Sequence, residues 1–232
     1  MMRSWKTAKA AMFVTALLTS CSAERNQPLT APAVQMPVGC CKAPQASTQQ
    51  APFVHLGRNA LDLREADDEV LKKIAGDTTI TAIDLRKAKI TDEGMKYLAT
   101  LPNLVYINMH FVDVSDEGLK HLLGVPELQE LHLGPAPRIT DAGLAHLGNI
   151  AGLKTLHAGG TSITDAGLAH LSSLKELDDL HIDATAVTDA GLEHLRTLNK
   201  LTSLHIYDTK VTAAGIARLR QALPNCDIWG ND

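Results

Sequence analysis

Seven copies of one short unit constrain this chain more tightly than any other feature. Aligned on a Thr/Ser-Asp pair, the units start at Asp67, Thr91, Ser115, Thr140, Thr164, Thr188 and Thr212, in steps of 24, 24, 25, 24, 24 and 24 residues. A period of this size held over so many units means a solenoid, because one unit cannot bury its apolar face alone and has to stack on its neighbours. The chain is 45% apolar but only 3% aromatic, so that stack has an aliphatic core.

The unit is clearest in "TDAGLAHLSSLKELDDLHIDATAV" (164–187) and "TDAGLEHLRTLNKLTSLHIYDTKV" (188–211). Thr before Asp supplies an N-cap oxygen, and Asp in the first turn suits the positive end of a helix dipole. Leu168, Leu171 and Leu174 share one helical stripe, with Gly167 on the same side letting neighbouring helices approach. The second half switches to a period of two: Leu180 and Ile182 point inward, Asp179, His181 and Asp183 outward, as a strand requires. Strand, turn, helix, turn is then one right-handed coil.

T-D-x-G-L followed by L-x-x-L-x-L at this period is similar to the bacterial leucine-rich repeats of about 24 residues called GALA-type, which resemble the ribonuclease-inhibitor horseshoe. The resemblance covers residues 67–232. It implies an α/β fold: a right-handed, curved leucine-rich repeat solenoid with parallel strands on the concave face and short helices on the convex face. The Asn usual after the strand is replaced by Thr161, Thr185 and Thr209, whose hydroxyls can bond backbone, and by Ala88 and Val112, which cannot. The early turns are therefore expected to be less regular. The extra residue of the 25-residue unit falls in "GPAPRI", a bulged turn. Residues 67–211 count as six repeats and 212–232 as the final repeat with a C-terminal cap. "LDLR" at 61–64 echoes "IDLR" at 83–86, so 53–66 reads as an N-terminal cap. In "LPNCDIWGND", Cys226 and Trp229 occupy apolar positions of a last strand.

Arg3, Lys6 and Lys9 precede "AAMFVTALLTS", an apolar run too short to span a hydrocarbon core of roughly 30 Å at ~1.5 Å per residue. The run ends in "LTSC", which resembles the lipobox of bacterial lipoproteins. That resemblance implies a signal peptide at 1–20, lipidation of Cys21, and a membrane bound through the lipid anchor alone. Ser22 after the cysteine implies delivery to the outer membrane of a bacterial cell envelope. An ordinary signal peptide with a chance cysteine is the alternative. Residues 21–52 are a tether rich in Pro, Gln and Ala with no apolar period, reaching roughly 90 Å when semi-extended. Removing 1–20 takes three positive charges and no acid from a net charge of −4, leaving −7. No basic patch remains for phosphates, so nucleic acid is not an expected partner.

After lipidation Cys40, Cys41 and Cys226 remain, an odd number in an oxidising compartment. Adjacent cysteines lack the spacing of a CxxC metal site. A vicinal disulfide, a link to a second chain and no role stay open for Cys40 and Cys41, while Cys226 reads as a small buried hydrophobe.

Two histidine columns recur. His121, His146, His170 and His194 fill the H of "GLxHL" and are expected to pack and hydrogen-bond between coils. His132, His157, His181 and His205, preceded by Asp84 and Asn108, stand between the inward residues of L-x-L. Parallel strands in register place such rungs ~4.8 Å apart, so four imidazoles form a ladder on the concave face. Two readings follow: a wettable, weakly cationic surface that titrates near neutrality, or a site for zinc or another transition metal completed by Asp179, Asp183 or Glu130.

The other outward rows put Gly134 and Gly159 in the middle, with Tyr106, His110 and Phe111 rising on one side and Tyr207 on the other, a shallow groove with aromatic anchors. No nucleophile elbow, phosphate loop or HExxH is present, and His181 with Asp183 is an ordinary pair on one strand face, so an enzyme is not expected. The sequence thus points to a lipid-anchored envelope module binding a protein, peptide or glycan through Tyr106, His110, His132, His157, His181, Asp183, His205 and Tyr207. A metal-binding or metal-sensing ladder (His132, His157, His181, His205) and a structural spacer are the alternatives.

Overall fold

The computed structural model describes residues 59–230. The expected signal peptide (1–20), Cys21, the tether (21–52), Cys40, Cys41 and the first part of the expected cap, 53–58, lie outside the described residues.

Eight short strands form one parallel sheet in chain order: β1 (Ala60–Asp62), β2 (Ala82–Asp84), β3 (Tyr106–Asn108), β4 (Glu130–His132), β5 (Thr155–His157), β6 (Asp179–His181), β7 (Ser203–His205) and β8 (Asp227–Trp229). The central residue of each faces inward: Ile83, Ile107, Leu131, Leu156, Leu180 and Leu204 are buried in register. β1 pairs Leu61 with Ile83, as the echo of "LDLR" and "IDLR" requires. Opposite the sheet run α1 (Asp68–Lys73), α2 (Asp116–Lys120), α3 (Asp141–Leu147), α4 (Asp165–Leu171), α5 (Asp189–Leu192) and α6 (Ala213–Ala222), supplemented by 3-10 turns at Gly94–Thr100, His121–Gly124 and Glu193–Leu195. Leu144, Leu147, Leu168 and Leu171 bury the helical stripe against the sheet.

The T-D-x-G signature works between coils. Thr140, Thr164, Thr188 and Thr212 cap their helices, each hydroxyl accepting a backbone N–H two or three residues ahead. The Asp after each cap reaches one unit forward. One oxygen of Asp141 accepts the Thr164 N–H at 2.7 Å and the other accepts its hydroxyl at 2.6 Å. Asp68, Asp92, Asp116, Asp165 and Asp189 make the same pair of bonds to Thr91, Ser115, Thr140, Thr188 and Thr212. Each carboxylate lies too close to the glycine of the next unit for that residue to carry a Cβ without a clash, as Asp141 does at Gly167. Asp and Gly are therefore two halves of one clamp.

The expectation of irregular early turns does not hold. Ala88 and Val112 donate their backbone N–H to Leu85 and Met109 carbonyls at 2.8 and 3.1 Å, whereas Thr161, Thr185 and Thr209 satisfy the equivalent carbonyl of Ala158, Ile182 and Ile206 with a hydroxyl at 2.7–2.8 Å. The same acceptor is met by either donor. Thr185→Val is accordingly expected to cost no more than about 1 kcal/mol in urea unfolding, since the backbone can take over as it does at Val112.

At the C-terminal end Cys226 is buried as expected, and burial pushes its thiol up to about 11. Trp229 is corrected: it is 50% exposed. Strand alternation turns Ile228 inward, and the register sets Trp229 beside His205 on the outer row.

Candidate functional site

Strand register brings one outward residue per coil into a single row: Asp62, Asp84, Asn108, His132, His157, His181, His205 and Trp229. The row starts acidic, with Asp84 buried and held by a forked pair from Arg86 at 2.7–3.0 Å. It then becomes a stack of imidazoles. Ring centroids lie 4.0 Å apart for His132 and His157, 3.7 Å for His157 and His181, and 3.9 Å for His181 and His205. These gaps are tighter than the ~4.8 Å strand spacing, so the rings lean together along the row. His157 and His181 are nearly parallel, with 15° between their ring planes.

The His132 end of the stack is packed rather than wettable, which departs from the reading of a uniformly exposed cationic ladder, while His157, His181 and His205 are half-buried. His132 is only 9% exposed, and burial, aided by His157 and His110, lowers its pKa to about 3. His110 and His205 are lowered as well, first by burial and next by the neighbouring imidazoles His157 and His181 respectively. A proton on such a ring would place a poorly solvated cation among its neighbours.

Asp179 is the acidic member of the stack. Its Oδ2 lies 3.3 Å from His157 Nε2 in hydrogen-bonding geometry, and its Oδ1 lies 3.2 Å from His181 Nε2. Burial raises the Asp179 pKa, but the two imidazoles outweigh it and hold the carboxyl below its usual range. Asp183 stands on the next outward row: one oxygen accepts the Tyr207 N–H at 2.7 Å, and it groups with His181 and His205. Burial raises Glu130 above the ordinary carboxylate value.

Exposed rings border the stack. His110 packs edge-on against Phe111 at 6.2 Å, and its ring occupies the space a side chain at Gly134 would fill, 2.7 Å from where that Cβ would stand. Phe111 is 59% exposed in a left-handed turn, and Tyr207 is 42% exposed at 6.4 Å from His205. Trp229 lies parallel to His205 at 6.1 Å. The sequence reading missed Trp229 as a surface ring; aligning "DIW" with "SLH" would have revealed it.

Tyr106 is a second correction. It is buried, its ring 5.2 Å from His132 and its hydroxyl accepting from Asn108 at 3.2 Å, so it supports the stack from below and presents no ring outward. The convex column is the third. The imidazoles of His121, His146, His170 and His194 make no hydrogen bond between coils; His170 and His194 are exposed and the other two half-buried. An open cleft at the N-terminal rim, lined by Arg64, Arg86, Lys87, Lys89 and Phe111, also escaped the sequence.

Residues 76–99 match the family model for the leucine-rich repeat. No curated protein matches the chain. Among solved structures, internalin C2 of Listeria monocytogenes is similar over 75% of this chain and 80% of its own, at 18% identity and a TM-score of 0.55. Internalin inlF of the same organism is similar over 68% of this chain and 49% of its own, at 22% identity and a TM-score of 0.50. At such identities the likeness speaks for the fold, the leucine-rich repeat solenoid expected from the repeats.

Proposed function

We propose that this leucine-rich repeat solenoid is a lipid-anchored recognition module of a bacterial cell envelope that binds a protein or peptide through its sheet face. Solenoids of this kind present extended concave surfaces for partners. The observation that carries the reading is the continuous line of rings on that face: a closely packed, half-buried imidazole stack bordered by the exposed Phe111, Tyr207 and Trp229. Aromatic side chains have few rotatable bonds and lose little entropy on binding, and such residues dominate interface energetics. The function is binding without catalysis, and outer-membrane anchoring through Cys21 would present the face on its long tether.

Replacing Phe111, Tyr207 and Trp229 together by Ser is expected to abolish saturable capture of a partner from envelope extracts by the purified chain, with a loss of at least 100-fold in affinity, while the thermal midpoint stays within a few degrees. Undiminished capture by the triple variant would overturn the reading.

A further inference from the structure

We propose that His157, Asp179 and His181 form a binding site for one divalent transition-metal ion of the zinc class. This goes beyond the recognition role and does not depend on it. The donors are two imidazoles and one carboxylate, a set suited to zinc, nickel or copper and unsuited to magnesium or calcium, which favour all-oxygen shells. The geometry is close to what an ion needs. A tetrahedral ion with ligands at about 2.0–2.1 Å sets neighbouring donor atoms roughly 3.3 Å apart. Each imidazole faces its own oxygen of the Asp179 carboxylate, His157 Nε2 at 3.3 Å from Oδ2 and His181 Nε2 at 3.2 Å from Oδ1, so the carboxylate lies between the two nitrogens at ligand-like spacing. One donor atom from each of the three residues lies within 4.8 Å of the other two.

A second observation falls at the same place. Among the described residues, two buried side-chain polar atoms lack a hydrogen-bond partner, Asp179 Oδ1 and His132 Nε2. Asp179 Oδ1 is close to His181 Nε2 but off the hydrogen-bonding direction. His132 is more than nine-tenths buried and stacks on His157, with which its ligand atom also groups. A buried orphan acceptor and a buried orphan imidazole nitrogen each cost the fold a desolvated group. A cation seated between His157 and His181 satisfies the carboxylate directly, while His132 groups with His110 and His157 on the neighbouring side of the row.

Binding requires rearrangement in two respects. Parallel rings point their nitrogen lone pairs side by side, so His157 and His181 must turn out of the stack to converge on one ion. Each must also carry its proton on Nδ1, freeing Nε2 for the metal, a shift of tautomer with no net change in charge.

The test uses the full chain with Cys21→Ser, Cys40→Ser and Cys41→Ser, which leaves only the buried Cys226 thiol, stripped with a chelator and titrated with zinc chloride by calorimetry. One zinc per chain is expected, with affinity at least 10-fold weaker after Asp179→Asn and unchanged after His194→Asn on the exposed convex column. X-ray absorption of the zinc-loaded chain, which needs no further variant, should show nitrogen and oxygen ligands at about 2.0–2.1 Å. No zinc binding, a sulfur shell near 2.3 Å, or a folded Asp179→Asn variant with undiminished affinity would overturn the site. None of these readouts involves the partner, so failure here leaves the recognition reading standing, and loss of that reading leaves the zinc result intact.

Discussion

Gly167→Val is expected to destabilise the solenoid by roughly 3–4 kcal/mol in urea unfolding. Gly167 lies in α4, where helix propensity alone favours a larger residue: Gly→Ala in an exposed helix interior stabilises by about 1 kcal/mol. Here the sign reverses, because the new Cβ would stand within clashing distance of Asp141 Oδ1 and meet the Leu144 side chain at 3.1 Å. The carboxylate cannot withdraw freely, being held by the Thr164 N–H and hydroxyl. Displacing it breaks two charge-assisted bonds, each contributing about 1.5–3 kcal/mol, across the joint on which stacking depends. Even Gly167→Ala should therefore destabilise. A double-mutant cycle isolates the cause: in an Asp141→Ala background, Gly167→Ala should become neutral or stabilising. If Gly167→Ala stabilises the unaltered chain, the clamp contributes nothing and the T-D-x-G signature needs another explanation.

Acid sensitivity is the second large effect. His132 titrates near 6.5 in an unfolded chain and near 3 in the fold. Between those values the unfolded state holds a proton that the native state does not, so stability falls as pH drops from about 6.5 toward 3, by up to roughly 5 kcal/mol from this residue. His110 and His205, lowered in the same direction, add to the slope. Asp179 acts in the same sense further down: its folded pKa is depressed, so its contribution is present above the unfolded carboxylate value and is lost as pH falls through the folded one. Urea unfolding should lose roughly 2 kcal/mol or more between pH 7 and pH 5. His132→Asn, which places in β4 the residue that β3 carries at the same rung, should remove most of that slope. A stability independent of pH over this range would mean that the stack is hydrated.

The repeat, the strands and the four-rung ladder were legible because each depends on spacing alone. A period of two fixes which residues face outward, and a common period fixes that His132, His157, His181 and His205 share a row. What escaped depends on neighbours one coil away. Asp141 and Gly167 were read inside their own units, as a dipole partner and a spacer; that they fit each other is visible only when helices are stacked. The turns after β2 and β3 were misjudged because a missing hydroxyl was taken for a missing bond, although the backbone N–H of Ala88 and Val112 reaches the same acceptor. Nor does a place on an outward row by itself mean exposure. Tyr106 shares its outward row with Glu130 and Thr155, yet it is buried with its ring against His132. Trp229 looked apolar and therefore internal, although the register of β8 leaves its ring in solvent.

Site-resolved photo-crosslinking in intact cells tests the recognition face most directly. A photoreactive phenylalanine analogue would replace Tyr207 or Trp229 on the sheet face and, for comparison, His170 or His194 on the helical face. Both sheet-face positions should yield the same discrete adduct and both helical-face positions none. An adduct formed from His170 or His194, with none from Tyr207 or Trp229, would contradict a recognition site on the imidazole stack.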